Sequence, residues 1–336
     1  MGGHARSMVD IGGLVDAMGG FAQKRQLVRR GVRDRHLTNA VKSREVVRVR
    51  NGWYSTVPET DLRLRALRVG GRLTGLAAVA QWGGWVLSVP ILHVAVPENA
   101  SRLRCANNRR RRLVPGSSGG VAVHWEPREQ LERGSATSVS LPDALYRVVV
   151  DEKLEDAIAA LDWAMHEGLF DGADLDVLIE RLPLGLRWIA EWTDAACESL
   201  PESLSRTRLR LEGHVVRSQV VLQSRERIDL VVDDTAAVEV DGRAHHSESF
   251  LADRKKDLRI TVAGFHALRP AASMVFYHWG DVYRAISCAI QARGHDLPRR
   301  VGDSGFGRFG PASRSRYQSR RRQPRARSPE FSTHEV

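Results

Sequence analysis

Asp229, Glu239, Asp241, His245 and His246 are the residues whose types and spacing bear most directly on chemistry. Asp229 stands inside an apolar run, Arg227 to Val232, and Glu239 and Asp241 stand in the next one, Ala237 to Asp241. Both runs read as strands, with Asp233 and Asp234 making the turn between them. Side chains alternate along a strand, so Glu239 and Asp241 project from one face, and Asp229 can approach them across adjacent strands. Carboxylates grouped at one end of a sheet repel and raise each other's pKa unless a cation sits between them. Oxygen ligands of this kind suit Mg2+ or Mn2+, which can activate water and bridge a phosphate oxygen. His245 and His246 follow just beyond the strand end, where a neutral imidazole can deprotonate the attacking water or protonate the leaving oxygen. Blander roles stay open at this point. Asp229 can be a buried acid paired with Arg227 or Arg254, Glu239 and Asp241 can end a strand, and His245 can be a packing residue.

The elements around these residues predict an α/β (α+β) protein. Residues 204–212 read as a helix with Glu202 near its start, Val215 to Leu222 as a strand, and Glu248 to Val262 as an amphipathic helix ended by Gly264. Phe265 to Leu268 is a further strand and Asp281 to Ala292 a closing helix. The order αβββαβα, over residues 201–295, is that of a restriction-endonuclease-like αβββαβ core. At the other end, over residues 8–60, the spacing predicts helices at Ile11 to Met18, Phe21 to Arg29 and Asp34 to Lys42. An alternating strand, an Asn51-Gly52 turn and Trp53-Tyr54-Ser55 follow. Three helices and a hairpin predict a winged helix-turn-helix, whose third helix can enter a major groove while the wing lies along the backbone. Residues 61–130 read as an α/β region, with a capped helix after Leu73 and strands at Leu92 to Val96 and Val121 to Trp125. The basic run Arg109 to Arg112 between them reads as a solvated loop that can also touch phosphates. Residues 131–200 read as a helical connector. His93, His124 and His166 show no partner pattern and read as ordinary, and no catalytic cluster is expected before residue 200.

Two resemblances go with these patterns. Gly20-Phe21, Leu27 through Gly31-Val32, and Val47-Arg48-Val49-Arg50-Asn51-Gly52-Trp53-Tyr54 resemble the N-terminal winged helix of type IV (abortive-infection) antitoxin-like proteins, with Trp53 inserted between Gly52 and Tyr54. The stretch from Leu73 to about Trp125 looks like the middle part of the same proteins. The resemblance implies DNA binding, with Arg33, Arg35, Lys42 and Arg44 as phosphate contacts and Arg48 and Arg50 on the wing. Glu202-Ser203-Leu204, Arg206, Arg208, Arg227-Ile228-Asp229, Glu239-Val240-Asp241-Gly242, His245-His246, Phe250, Asp253-Arg254 and Asp257 resemble endonuclease-like proteins related to very-short-patch repair endonucleases, in the PD-(D/E)xK superfamily. That resemblance implies Asp229 as principal metal ligand and Glu239 with Asp241 as supporting acids. It further implies His246 as general base and Glu202 as a helix-borne acid orienting metal or water. Arg254 would stabilise phosphate charge or simply pair with Asp257 or Asp253. Where the superfamily places a lysine two residues after the acid, this sequence has Asp241.

Composition sets the outer bounds. The 336 residues carry 51 basic and 40 acidic side chains, a net charge of +11, and 42% of them are hydrophobic, enough for a substantial core. From Pro298 onward ten arginines stand against three acids in a Gly-, Ser- and Pro-rich stretch, which predicts a disordered basic tail over 296–336. The longest apolar region, Leu76 to Val96, is interrupted by Gln81, Ser88, Pro90 and His93, so no membrane span is expected. Met1-Gly2-Gly3-His4 opens no apolar signal core. Three dispersed cysteines fit neither a disulfide framework nor a zinc knuckle. These features predict a cytoplasmic protein. The expected function is a Mg2+- or Mn2+-dependent endonuclease that hydrolyses DNA and is guided by its winged helix. The alternative is a non-catalytic DNA-binding regulator or the antitoxin of a type IV toxin–antitoxin system, with a toxin or regulatory protein as partner.

Overall fold

Gly19 and Gly20, both with positive φ (79° and 81°), stop the first helix and turn the chain into an extended segment. The computed structural model describes residues 10–114, 120–223, 225–241 and 250–296. Helix α1, Ile11–Asp16, is capped by Asp10, whose side chain accepts from the Gly13 N–H at 2.7 Å. Phe21 does not open a helix, as its spacing had suggested. It begins strand β1, Phe21–Gln23, and the helix α2 follows at Lys24–Arg29. The extended conformation lets Phe21 pair with Ser55 and puts its ring against Val49, Leu64 and Leu67. Helix α3, Asp34–Lys42, and the hairpin of β2, Val47–Arg50, with β3, Trp53–Ser55, complete this part, and the sheet order is β1-β3-β2. Gly52, at φ 79°, makes the hairpin turn. Ile11, Val15, Leu27, Val32, Leu37 and Val46 fill the small core between the helices and the sheet.

A larger core forms next. Helix α4, Leu62–Val69, strand β4, Arg72–Leu73, and helix α5, Gly75–Gln81, lead to β5, Leu92–Pro97. Strands β6, Arg104–Cys105, and β7, Asn108–Arg112, pair as a separate hairpin. The basic run expected as a loop is therefore a strand with its arginines mostly exposed. Strand β8, Val121–Glu126, lies parallel to β5 in the sheet β4-β5-β8. Helices α6, Arg128–Glu132, α7, Leu141–Asp151, α8, Leu154–His166, and α9, Gly172–Arg181, then a 3-10 helix at Leu184–Trp192, carry the chain across this core.

The last part begins with α10, Leu200–Leu211, and strands β9, Val216–Val221, β10, Arg227–Val232, and β11, Ala236–Val238. Helix α11, Phe250–Val262, strand β12, His266–Leu268, and helices α12, Ala272–Tyr277, and α13, Trp279–Asp296, complete it. The sheet order is β12-β11-β10-β9, antiparallel except that β11 and β12 run parallel. Asp241 lies past the end of β11 and makes only a bridge to Ala271. The chain is thus a mixed α/β protein of helices and several small sheets. Among the described residues, no helix is long and apolar enough to cross a membrane. The predicted basic tail over 296–336 lies, save Asp296, outside the described residues.

Helix α10 is buried on its polar side. Ser203, Ser205, Arg206 and Thr207 are all within the interior, and Asp162 of α8 is fully buried against them. The Asp162 carboxylate accepts from Arg206 Nη2 (2.7 Å), Ser203 Oγ (2.6 Å) and the Asp194 N–H (2.7 Å). Burial pulls the Arg206 guanidinium down, but the charges of Asp162, Cys197 and Asp194 and the Asp162 hydrogen bond together outweigh this and hold it above its ordinary value. Removing one partner leaves a buried charge without its counter-ion. Asp162→Ala is expected to cost about 3–5 kcal/mol in urea unfolding. A loss below about 1 kcal/mol would show that the pair does not hold α8 to α10.

Candidate functional site

The register of β10 with β11 pairs Leu230 with Val238, and continuing it one step sets Asp229 opposite Glu239. Two hydrogen bonds lock that step. Asp229 Oδ2 accepts from the Val240 N–H at 2.9 Å, and the Asp229 N–H donates to Glu239 Oε1 at 3.3 Å. Val240 turns the other way, into the core with Leu230 and Val238, as strand alternation requires. Glu239 is 4% exposed, and its second oxygen accepts from Lys256 Nζ of α11. Glu202 lies in the first turn of α10, 6% exposed. It accepts from Ser199 Oγ (2.6 Å), the Glu198 N–H (3.0 Å) and Gln219 Nε2 (3.0 Å).

Arg269, just after β12, gathers the remaining acids. Its Nη1 donates to Asp241 Oδ1 at 2.9 Å and its Nη2 to Asp257 Oδ1 at 2.7 Å, with Glu239 Oε2 at 3.7 Å and Asp253 Oδ1 at 4.0 Å. Burial lowers the Arg269 pKa, but the hydrogen bonds and charges of Asp257 and Asp241 outweigh it and raise the pKa overall. Burial pushes the Asp229 carboxyl above its ordinary value, against the pull of the Val240 N–H, Lys256 and Arg269. Burial and then the charge of Asp229 raise Glu239 in the same way, despite Lys256. Glu202 is raised as well, first by burial and in smaller part by Asp229.

The structure therefore brings Asp229, Glu239 and Glu202 to one edge of the sheet and turns Asp241 toward Arg269. Arg254 pairs with Asp257 at 3.2 Å on the exposed side of α11. His245 and His246 lie outside the described residues. Two side chains at the site escaped the sequence reading, Lys256 and Arg269. For Lys256 a signal was available, because it precedes Ile260 by one helical turn and Ile260 is completely buried against the sheet.

Of the residues expected to meet DNA, Arg33, Arg35, Lys42 and Arg44 are exposed on or beside α3. Arg48 donates to Asn51 Oδ1 at 2.9 Å within the wing. Arg50 packs against Gly70, where a Cβ would lie 2.4 Å from Nη1, and burial together with Arg104 lowers its pKa. It is directed at the neighbouring α4 rather than outward.

A second cluster lies where none was expected, before residue 200. His93 of β5 and His124 of β8 stack, ring centroids 5.1 Å apart. His93 Nδ1, His124 Nε2 and Asp151 Oδ2 lie 3.1, 3.4 and 3.6 Å from one another, and these residues can hold a metal ion. Among the described residues this is the one group of three potential ligands that converges so closely, and the acids at Asp229, Glu239 and Asp241 do not. Burial lowers the pKa of both histidines, with Arg147 adding to it, and brings His124 to about 4. His166 is apart from them, its Nδ1 at 3.3 Å from the Ala195 carbonyl.

No protein-family model and no curated protein matches this chain.

The raised carboxyls make a pH prediction. Asp229 binds its proton more tightly in the folded than in the unfolded chain. The resulting stability is complete below the ordinary value of 3.8 and is lost as pH rises through the higher folded-state value. Asp229→Asn removes a buried charge while keeping an acceptor for Val240. In EDTA the variant is expected to unfold at a higher temperature than wild type at neutral pH, with the gap closing as pH falls into the carboxylate range. A variant less stable than wild type at neutral pH would show that the ionised form is the one the fold prefers.

Proposed function

We propose that this chain is a metal-dependent, endonuclease-like protein that hydrolyses DNA phosphodiester bonds, guided by an N-terminal winged-helix region. The observation that carries this reading is the meeting of Asp229, Glu239 and Lys256 at one sheet edge, from β10, the end of β11 and α11. The element order α10-β9-β10-β11-α11-β12, with β11 and β12 parallel, supports a restriction-endonuclease-like core. Helices α1 to α3 and the β2–β3 hairpin support the winged helix, with Arg33, Arg35, Lys42 and Arg44 on its exposed side.

Two adjoining carboxylates whose pKa burial has raised fit a hard, oxygen-seeking cation, which would relieve the repulsion between them. Asp229 and Glu239 would hold it, while Asp241, held by Arg269, would keep the edge in register. When bound, Mg2+ or Mn2+ supplies Lewis-acid charge and lowers the pKa of water. Lys256 would supply from α11 the ammonium that the superfamily this stretch resembles carries two residues after its acid. Its ammonium, beside Glu239, is set to hold the attacking oxygen and a developing negative charge. Glu202 and Gln219 together fix the first turn of α10 against β9 next to Asp229. His246 remains the candidate to move the proton.

A second reading has one observation in its favour. Lys256 and Arg269 already neutralise part of the acid charge, as they would in a nuclease fold kept only as a binding surface by a DNA-binding regulator or antitoxin. Cleavage of supercoiled plasmid by wild type, Asp229→Ala, Lys256→Ala and His246→Ala, with Mg2+, Mn2+ or EDTA, separates the two. The nuclease reading expects nicking that EDTA abolishes and that the Asp229 and Lys256 variants reduce by at least about 100-fold. No cleavage in any lane, with band shifts retained by all four proteins, would favour the regulator.

A further inference from the structure

We infer that His93 Nδ1, His124 Nε2 and Asp151 Oδ2 form a four-coordinate zinc site whose fourth position opens to solvent, separate from the acid edge and independent of its chemistry. The elements that carry the three ligands are regular ones. Strands β5 and β8 run parallel with His93 opposite Ala122 and Ala95 opposite His124, so the two imidazoles leave one face of the sheet two residues out of step. Asp151 ends α7 and Glu152 follows it. Gly75, at φ 63°, lets the start of α5 lie against His93, where a Cβ would sit 3.2 Å from the His93 Cβ. The His93 carbonyl accepts from the Thr74 N–H at 3.2 Å, which fixes the backbone on that side.

The spacing lets one ion reach all three atoms, and the donor types choose the ion. In a tetrahedron the ligand–ligand edge is about 1.63 times the bond length, so zinc bonds of about 2.0–2.1 Å predict edges of about 3.3–3.4 Å. In an octahedron the factor is about 1.41, and bonds of about 2.1 Å predict edges near 3.0 Å. The three observed separations of 3.1, 3.4 and 3.6 Å centre on the tetrahedral value. Two imidazoles and one carboxylate are the donor set of a borderline ion, not of Mg2+.

His93 Nδ1 lies 3.4 Å from Asp151 Oδ2 and 3.1 Å from His124 Nε2, so three atoms able to bind a metal face one another. A single divalent ion would serve all three together. With a metal on Nδ1, the proton of His93 would sit on Nε2, which faces Glu152 Oε1 at 3.6 Å. Arg147 lies 3.4 Å from Asp151 and also binds Glu126, so it is paired on both sides. The side chains of His93 and His124 are 7% and 14% exposed and that of Asp151 is 24% exposed, so the cluster opens on the Asp151 side. A site with three protein ligands and one accessible position takes water or an anionic oxygen as its fourth.

The test uses the full chain, stripped of metal with chelator and titrated with Co2+ and then Zn2+, as wild type, His124→Gln, Asp151→Asn, Glu152→Gln and Asp229→Ala. Wild type and Asp229→Ala should each bind one equivalent of Co2+ with the intense visible bands of a four-coordinate ion. Zn2+ should displace it and raise the unfolding temperature. His124→Gln and Asp151→Asn should lose the bands while keeping the far-ultraviolet circular dichroism of the native fold. Glu152→Gln should keep four-coordinate bands with affinity about 10–100-fold lower. Weak octahedral bands alone in both wild type and Asp229→Ala, with no intense four-coordinate bands, would overturn the proposal. Bands that survive in both His124→Gln and Asp151→Asn would do so too, as would bands lost only in Asp229→Ala, which would belong to the acid edge.

Discussion

The carboxylate of Asp162 has no solvent around it and three donors aimed at it, and the C-terminal part of the chain is built outward from that contact. A helix such as α10, with Ser203, Ser205, Arg206 and Thr207 on its inner side, has no reason to be buried through hydrophobicity alone. Taking an ion pair out of water costs several kcal/mol per ion, and only close geometry with additional hydrogen bonds offsets it. Ser203 and the Asp194 N–H supply those bonds. Arg208 adds a second tie, donating to Glu155 at 2.7 Å and to the Val275 carbonyl at 2.6 Å, so α10 is fixed to both α8 and α12. Its first turn is then positioned, and with it Glu202.

From Glu202 the constraint passes into the sheet. Gln219, in β9 with φ 51°, reaches back to the Glu202 carboxylate, and β9 sets the register of β10. The tight turn of β10 into β11, with both Asp233 and Asp234 at positive φ, leaves no slack for slippage. A slip of one residue would send Asp229 into the core and Ile228 into the edge. The facing of Asp229 and Glu239 is therefore a consequence of turn geometry and of the anchored helix behind it, with no attraction between the two acids required.

Strand alternation and the Asp-Asp turn made this edge legible from the sequence, because both are local patterns. Helix α3 and the Asn51-Gly52 hairpin were legible for the same reason. What escaped depended on distant chain segments meeting. Lys256 and Arg269 reach Glu239 from the middle of α11 and from just past β12, and of the two only Lys256 carries a local signal, its place one helical turn before Ile260. His93, His124 and Asp151 belong to two strands and a helix that the fold alone joins, so the two histidines read singly as ordinary and Asp151 carried no signal. Phe21 was misread because its apolar spacing fits a helix, whereas the positive φ of Gly19 and Gly20 and the pairing partner Ser55 decide for a strand.

The two proposed sites would favour different kinds of cation. At the acid edge the ligands are oxygens, and their charge is partly met by Lys256 and Arg269. Glu239 and Asp241 each have a cationic side chain within salt-bridge distance, whereas among the described residues the Asp229 carboxylate accepts from a backbone N–H and feels Lys256 and Arg269 through space. Among the described residues the least compensated charge at that edge is thus the one fixed by the register, and an incoming hard ion would gain most by approaching it. At the histidine cluster the balance is reversed. Burial keeps the imidazoles neutral and their nitrogen lone pairs available, while Arg147 limits the negative charge of Asp151. A hard ion that holds its water has little to gain there, and an ion that prefers nitrogen has much. Discrimination would then rest on donor type and charge balance, so each proposed site could fill without competing for the other's metal.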